Sequence, residues 1–157
     1  MNAQNVGEID WDALHAEAKH IMTMAYAPYS KFKVGVAGFV DDGRIVKGCN
    51  VENASYGMTL CAECGMVSDL ISSGGGKLVA VVCVDADGNF LSPCGRCRQL
   101  IFEHGGSHCL LMTPAGPLPM SEILPWALVQ KTSTKGSPCQ SHLQPSKSSA
   151  QSVTAMN

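Results

Sequence analysis

Cys61-Ala62-Glu63 and Pro93-Cys94-Gly95-Arg96-Cys97 restrict what this chain can become more than any other feature. Three thiolates drawn from two separate segments can hold one zinc ion, and three protein ligands leave the fourth position of a tetrahedral site open. A carboxylate two residues from the first thiolate can move protons beside that open position. The pattern describes a hydrolytic zinc site, with Cys61, Cys94 and Cys97 as ligands and Glu63 as proton shuttle. Glu63 is not assigned to the metal, because a fourth protein ligand would close the site against water.

Local patterns place these strings on helices. Asp10 is a good N-cap, and Trp11, Leu14, Ala18, Ile21, Met22 and Ala25 recur at helical spacing until Pro28. Phe32, Val34 and Val36 alternate, and Asp41-Asp42-Gly43 turns the chain into Arg44–Gly48, a hairpin pattern. Thr59 can cap a second helix that runs to about Ser73, where Gly74-Gly75-Gly76 ends it. Leu78–Val84 is β-rich and apolar on both faces, as a central covered strand would be. Ser92-Pro93 opens a third helix that Gly105-Gly106 terminates, and Cys109–Met112 reads as a short buried strand. This order predicts a three-layer α/β/α domain with a central mixed sheet.

Cys61 then falls in the first turn of one helix and Cys94 and Cys97 in the first turn of another. The unpaired N–H groups and dipole of a helix start favour thiolate, so lowered cysteine pKa values are expected. Cys94 and Cys97, three apart, share a helical face. A rival reading takes Cys61-x-x-Cys64 with Cys94-x-x-Cys97 as a closed four-thiolate structural site, and a blander one takes all four as buried free thiols. The helical pattern around Cys61 and the glutamate between the ligands weigh against the first, and the paired spacings against the second. Asp85-Ala86-Asp87-Gly88-Asn89 starts like a calcium loop but has Arg96 where the loop needs a glutamate, so it reads as a turn. His15, His20, His104 and His108 lack partner spacing for a metal.

Composition narrows the function classes. The formal net charge is -2, which gives no overall positive field to collect phosphate backbones, so a small molecule is expected rather than nucleic acid. Eight cysteines without a signal-peptide pattern after Met1 suit a reducing cytoplasm. No apolar run approaches the roughly 20 residues of a membrane helix. Residues 1–9 read as a flexible N-terminus and 10–130 as one domain. Residues 131–157, 27 positions with seven serines and two prolines, read as a disordered tail in which Cys139 and His142 are bystanders.

The two metal strings match the signature of zinc-dependent nucleobase deaminases, His or Cys, then x-Glu, then Pro-Cys-x-x-Cys. With Tyr29-Ser30-Lys31-Phe32-Lys33-Val34-Gly35 and Asn50-Val51-Glu52-Asn53-Ala54-Ser55-Tyr56-Gly57, the chain resembles the small homotetrameric cytidine deaminases over roughly residues 10 to 128. The resemblance implies the cytidine-deaminase-like fold, one Zn2+ per chain, and a homotetramer. It implies that Asn50 and Glu52 hold the ribose hydroxyls, Phe32 packs on the pyrimidine, the Ala62 N–H meets the base O2, and Tyr56 serves a site shared between subunits. It also implies hydrolytic deamination of cytidine and 2′-deoxycytidine to uridine and 2′-deoxyuridine in pyrimidine salvage. Activated water would attack C4, while Glu63 takes the water proton, delivers it to N3 and helps protonate the departing ammonia. Where the family often carries an arginine after the Cys-x-Glu string this chain has Cys64, and near the end, where a phenylalanine is usual, it offers Leu128. The alternatives are a deaminase of a related aminopyrimidine nucleoside and an inactive zinc-stabilised binding module.

Overall fold

The computed structural model describes residues 8–129, so the expected serine-rich tail and most of the N-terminal arm lie outside the described residues. Five strands form one mixed sheet in the order β2-β1-β3-β4-β5. They are β1 (Gly35–Val40), β2 (Ile45–Cys49), β3 (Leu78–Val84), β4 (Leu110–Thr113) and β5 (Gly116–Pro119). Only the β3–β4 pairing is parallel; β1–β2, β1–β3 and β4–β5 are antiparallel. The helices are α1 (Trp11–Met22), α2 (Ala62–Ser72), α3 (Gly95–Gly105) and the short α4 (Met120–Ile123).

The sheet separates two apolar layers, which gives the expected α/β/α architecture. On one face Leu14 and Ala18 of α1 pack with Ala37, Ala80, Val82 and Val84. On the other, Ala62, Met66 and Leu70 of α2 and Ile101 of α3 pack with Val36, Val40, Val46, Val81 and Cys83. The alternation of these residues along β1 and β3 sends successive side chains to opposite layers. β3 is buried almost throughout, as its unbroken apolar run Leu78–Val84 predicts for a covered strand.

Two glycines let the helices lie directly on the sheet. A Cβ on Gly35 would come within 2.2 Å of the Ala18 carbonyl oxygen in α1, and one on Gly48 within 2.3 Å of the Ala62 carbonyl oxygen and the Met66 nitrogen in α2. These obstacles are backbone atoms that no rotamer change can move. Gly48→Ala is therefore expected to push α2 off β2 and cost about 1–3 kcal/mol in urea denaturation, the usual range for overpacking. The Asp69 carboxylate of α2 also accepts the Lys47 N–H at 3.0 Å, tying the helix to the β2 edge.

Several local expectations shift. α1 ends at Met22, before the periodic residue Ala25, because Tyr26 leaves the helix to bridge Val51. β1 begins at Gly35, leaving Phe32 and Val34 on the approach to the strand. The sequence gives no sign of β5 or α4. Pro117 and Pro119 hide a strand that tolerates them because it lies at the sheet edge, bonded on one side to β4.

Candidate active site

Cys61 is the N-cap of α2 and Cys94 the N-cap of α3. The expected caps, Thr59 and Ser92, lie two residues too early. Long-range pairing explains the difference: Leu60 exchanges backbone hydrogen bonds with Val51, and Leu91 N–H donates to the Cys83 carbonyl, so both approaches are held extended. Thr59 Oγ1 instead accepts the Asn53 N–H at 3.2 Å, and Ser92 Oγ accepts Arg98 Nη2 at 3.1 Å. The Cys61 side chain makes no capping bond to its own helix, which leaves its sulfur free to face the start of α3.

The Sγ atoms of Cys61, Cys94 and Cys97 all lie within 4.8 Å of one another. Among the described residues this cluster leaves out Cys64, whose sulfur accepts Arg96 Nη2 at 3.5 Å. The closed four-thiolate arrangement is thus not formed. Cys64→Ser is expected to retain the wild-type zinc content and melting temperature, as metal analysis and thermal denaturation would show; loss of both would restore Cys64 as a ligand.

The expected lowering of all three thiol pKa values holds for one. The Cys97 N–H donates to Cys94 and keeps it below the ordinary thiol range. Burial raises Cys61, with the charges of Cys94 and Glu63 adding to the effect. Burial, then the Glu63 charge, raises Cys97 strongly. Desolvation and like-charge repulsion outweigh the helix dipole here. Three crowded sulfurs beside a carboxylate cannot all ionise unless a cation joins them. Soft sulfur donors converging on one point fit a zinc ion, and three of them leave a place for a fourth ligand.

Beside the cluster lies a cleft of about 330 Å3, lined by Phe32, Asn50, Cys61, Ala62, Glu63 and Cys94 together with Val34, Thr59, Leu60, Leu91, Ser92 and Pro93. Glu63, in the first turn of α2, is only 4% exposed. Asn50 is anchored, with Oδ1 accepting the Val34 N–H at 2.8 Å and Nδ2 donating to the Phe32 carbonyl at 2.9 Å. The structure places Glu52 and Tyr56 in an adjoining hollow with Tyr29, Ser30, Asn53 and Thr59. The Glu52 carboxylate accepts the Ser30 hydroxyl and the Tyr29 N–H, and the Ser30 bond chiefly holds it below the usual carboxylate range. Tyr56 is 78% exposed within the single chain.

Leu60 and Leu91 line the cleft and Cys83 lies behind Glu63, and none of them was expected at the site; Pro93 and Arg96 belong to the metal string but had no role assigned, and the structure puts Pro93 in the cleft wall and Arg96 across on Cys64. The basic residue inside Cys94-x-x-Cys97 was a usable signal for Arg96; Cys83 sits inside an apolar strand and gave none.

Comparison with known proteins agrees with this geometry. The family model described as the cytidine and deoxycytidylate deaminase zinc-binding region matches residues 10–113. A cytidine deaminase from Mycobacterium tuberculosis is 54% identical over 118 residues, covering 75% of this chain and 89% of the relative. One from Sporosarcina psychrophila is 47% identical over 97 residues, 60% of this chain and 70% of the relative. The crystal structure of the M. tuberculosis cytidine deaminase superposes with a TM-score of 0.77 at 53% identity, covering 78% of this chain and 100% of the other. That of the Mycobacterium leprae cytidine deaminase gives 0.74 at 58% identity, covering 75% and 99%. The sulfur cluster, the buried glutamate and these matches together make the chain a member of the cytidine and deoxycytidylate deaminase zinc-binding family.

Proposed function

We propose that this enzyme, with zinc held by Cys61, Cys94 and Cys97, hydrolytically deaminates free cytidine and 2′-deoxycytidine to uridine and 2′-deoxyuridine in pyrimidine salvage. The observation that carries the reading is the placement of a buried carboxylate and a three-sulfur cluster together at one substrate-sized cleft. When bound, the ion supplies the Lewis acidity that makes water nucleophilic near neutral pH. Glu63 takes the proton of the attacking water, delivers it to N3 of the pyrimidine and helps protonate the departing ammonia. Ala62 starts α2, where a backbone N–H has no partner within the helix, and that donor meets the base O2. Phe32 packs on the ring at the cleft wall, and Asn50, by gripping the backbone at Phe32 and Val34, keeps that wall in place. Asn50 and Glu52 hold the ribose hydroxyls. Arg96, with its guanidinium on Cys64, supplies positive charge where this chain lacks the family's usual arginine.

Assembly belongs to the same reading. Tyr26, Phe32, Val51, Tyr56, Met58 and Leu60 are all at least 43% exposed in the single chain, around the cleft and the hollow beside it. An apolar surface of this kind is suited to burial against other copies. We assign a homotetramer in which Tyr56 completes a shared site, with residues 10–130 as the folded unit. The seven described cysteines are all unpaired, which supports a reducing cytoplasmic setting. No helix among the described residues is long and apolar enough to cross a membrane. With no excess of basic residues, no nucleic-acid partner is assigned.

The deciding experiment incubates zinc-loaded protein with cytidine and deoxycytidine and follows loss of ultraviolet absorbance. Turnover of both, with a cytosine-containing oligonucleotide untouched, is the expected result. A stable protein inactive on both nucleosides would overturn the reading.

A further inference from the structure

We propose that Cys83 is a positioning residue, whose buried S–H donates to the Glu63 carboxylate and fixes the direction in which that carboxylate faces the cleft. The inference deepens the role given above to Glu63 and rests on it. Cys83 Sγ lies 3.7 Å from Glu63 Oε1, within hydrogen-bond reach for sulfur, and Cys83 is 0% exposed. Both partners of the contact are buried, Glu63 being 4% exposed.

The support for Cys83 is rigid. It sits near the end of β3, pairs across to Val36 of β1, and its carbonyl accepts the Leu91 N–H at 2.9 Å. It belongs to the same buried core cluster as Val36, Ala62, Val81 and Ile101 and is fully buried, so the thiol has little room to change rotamer. Burial, then the neighbouring Glu63 charge, holds the thiol well above its ordinary range, so the group facing the carboxylate carries its hydrogen. Glu63 itself hangs from the first turn of α2, and its terminal torsion is broad and soft unless something engages an oxygen.

The thiol suits this task. Sulfur is a weak donor, so it can set orientation while binding the carboxylate less tightly than a hydroxyl or a cation would. The Cys83 side chain also fills the core as a small apolar group, which is the usual role of a buried free cysteine. Position and packing are therefore combined in one residue, and the test must separate them.

Cys83→Val removes the donor while keeping the site apolar at the cost of one extra methyl group, Cys83→Ala removes the donor without added bulk, and Cys83→Ser restores a donor. Loss of one modest hydrogen bond in the transition state corresponds to roughly 3- to 10-fold in rate. We expect kcat for cytidine to fall by that factor in the valine and alanine variants, with KM and zinc content unchanged, and serine to recover most of it. A second readout does not need turnover. The Cys83 S–H stretching band, isolated by infrared difference between wild type and Cys83→Val, should move to higher frequency in Glu63→Gln, because a neutral amide is a poorer acceptor than a carboxylate. An unmoved band, donor-free variants with wild-type kcat, or a serine variant as slow as valine would overturn the inference. If wild-type protein failed to deaminate cytidine while the band still answered to Glu63→Gln, the reaction assigned above would fall and the positioning contact would stand.

Discussion

Cys97→Ala is expected to yield protein without zinc and without measurable deamination of cytidine. Cys97 is fully buried in the first turn of α3, and its sulfur completes the cluster with Cys61 and Cys94. Removing it leaves two sulfurs, those of Cys61 and Cys94. Two such donors do not retain zinc through purification, since structural and catalytic zinc sites use three or four protein ligands. The nucleophile depends on the metal, so activity should vanish with it. The substitution deletes only one buried atom, and the two helix starts remain anchored by the Val51–Leu60 and Leu91–Cys83 backbone bonds, so the apo variant should remain folded. Metal analysis, circular dichroism and the ultraviolet assay on the same preparation check this. Active protein free of zinc would sink the mechanism.

Glu63→Gln tests the other half of the site. Glutamine keeps the size of the side chain and can still accept from Cys83, but it cannot exchange a proton near neutral pH. Zinc content and melting temperature should match wild type, while kcat should drop by roughly 10²- to 10⁴-fold, the contribution typical of general acid–base catalysis. The loss should appear in kcat with little change in KM, because the proton transfers belong to the transition state. Near-wild-type turnover would remove Glu63 from the mechanism. The two variants discriminate between functions: one loses metal and activity, the other activity alone.

Cys61, Glu63, Cys94 and Cys97 were legible in the sequence because their chemistry is carried by residue type at short spacing. Cys61-x-Glu63 and Cys94-x-x-Cys97 each fit within one helical turn, so proximity inside each string follows from local geometry. The covered strand β3 and the end of α3 at Gly105, with Gly106 at a φ of 72° as its cap, were legible for the same local reasons. Glu52 and Tyr56, which the family resemblance linked to substrate, lie in a hollow beside the cleft rather than in its lining within the single chain.

What the sequence by itself determined is the donor set and the class of fold that could present it: soft ligands, a nearby carboxylate, and alternating helices and apolar strands. Tertiary structure decided where the helices begin, which thiol is favoured as an anion and what stands behind the glutamate. Thr59 and Ser92 are sound capping residues locally, yet the pairing of Leu60 with Val51 and of Leu91 with Cys83 holds the chain extended until Cys61 and Cys94. Burial reverses the expected pKa shift at Cys61 and Cys97, because desolvation depends on neighbours distant in sequence. Cys83, 20 residues from Glu63, becomes its partner only because β3 and α2 stack in adjacent layers. Short-range chemistry is written in spacing, whereas pairing and desolvation exist only once the sheet and helices have met.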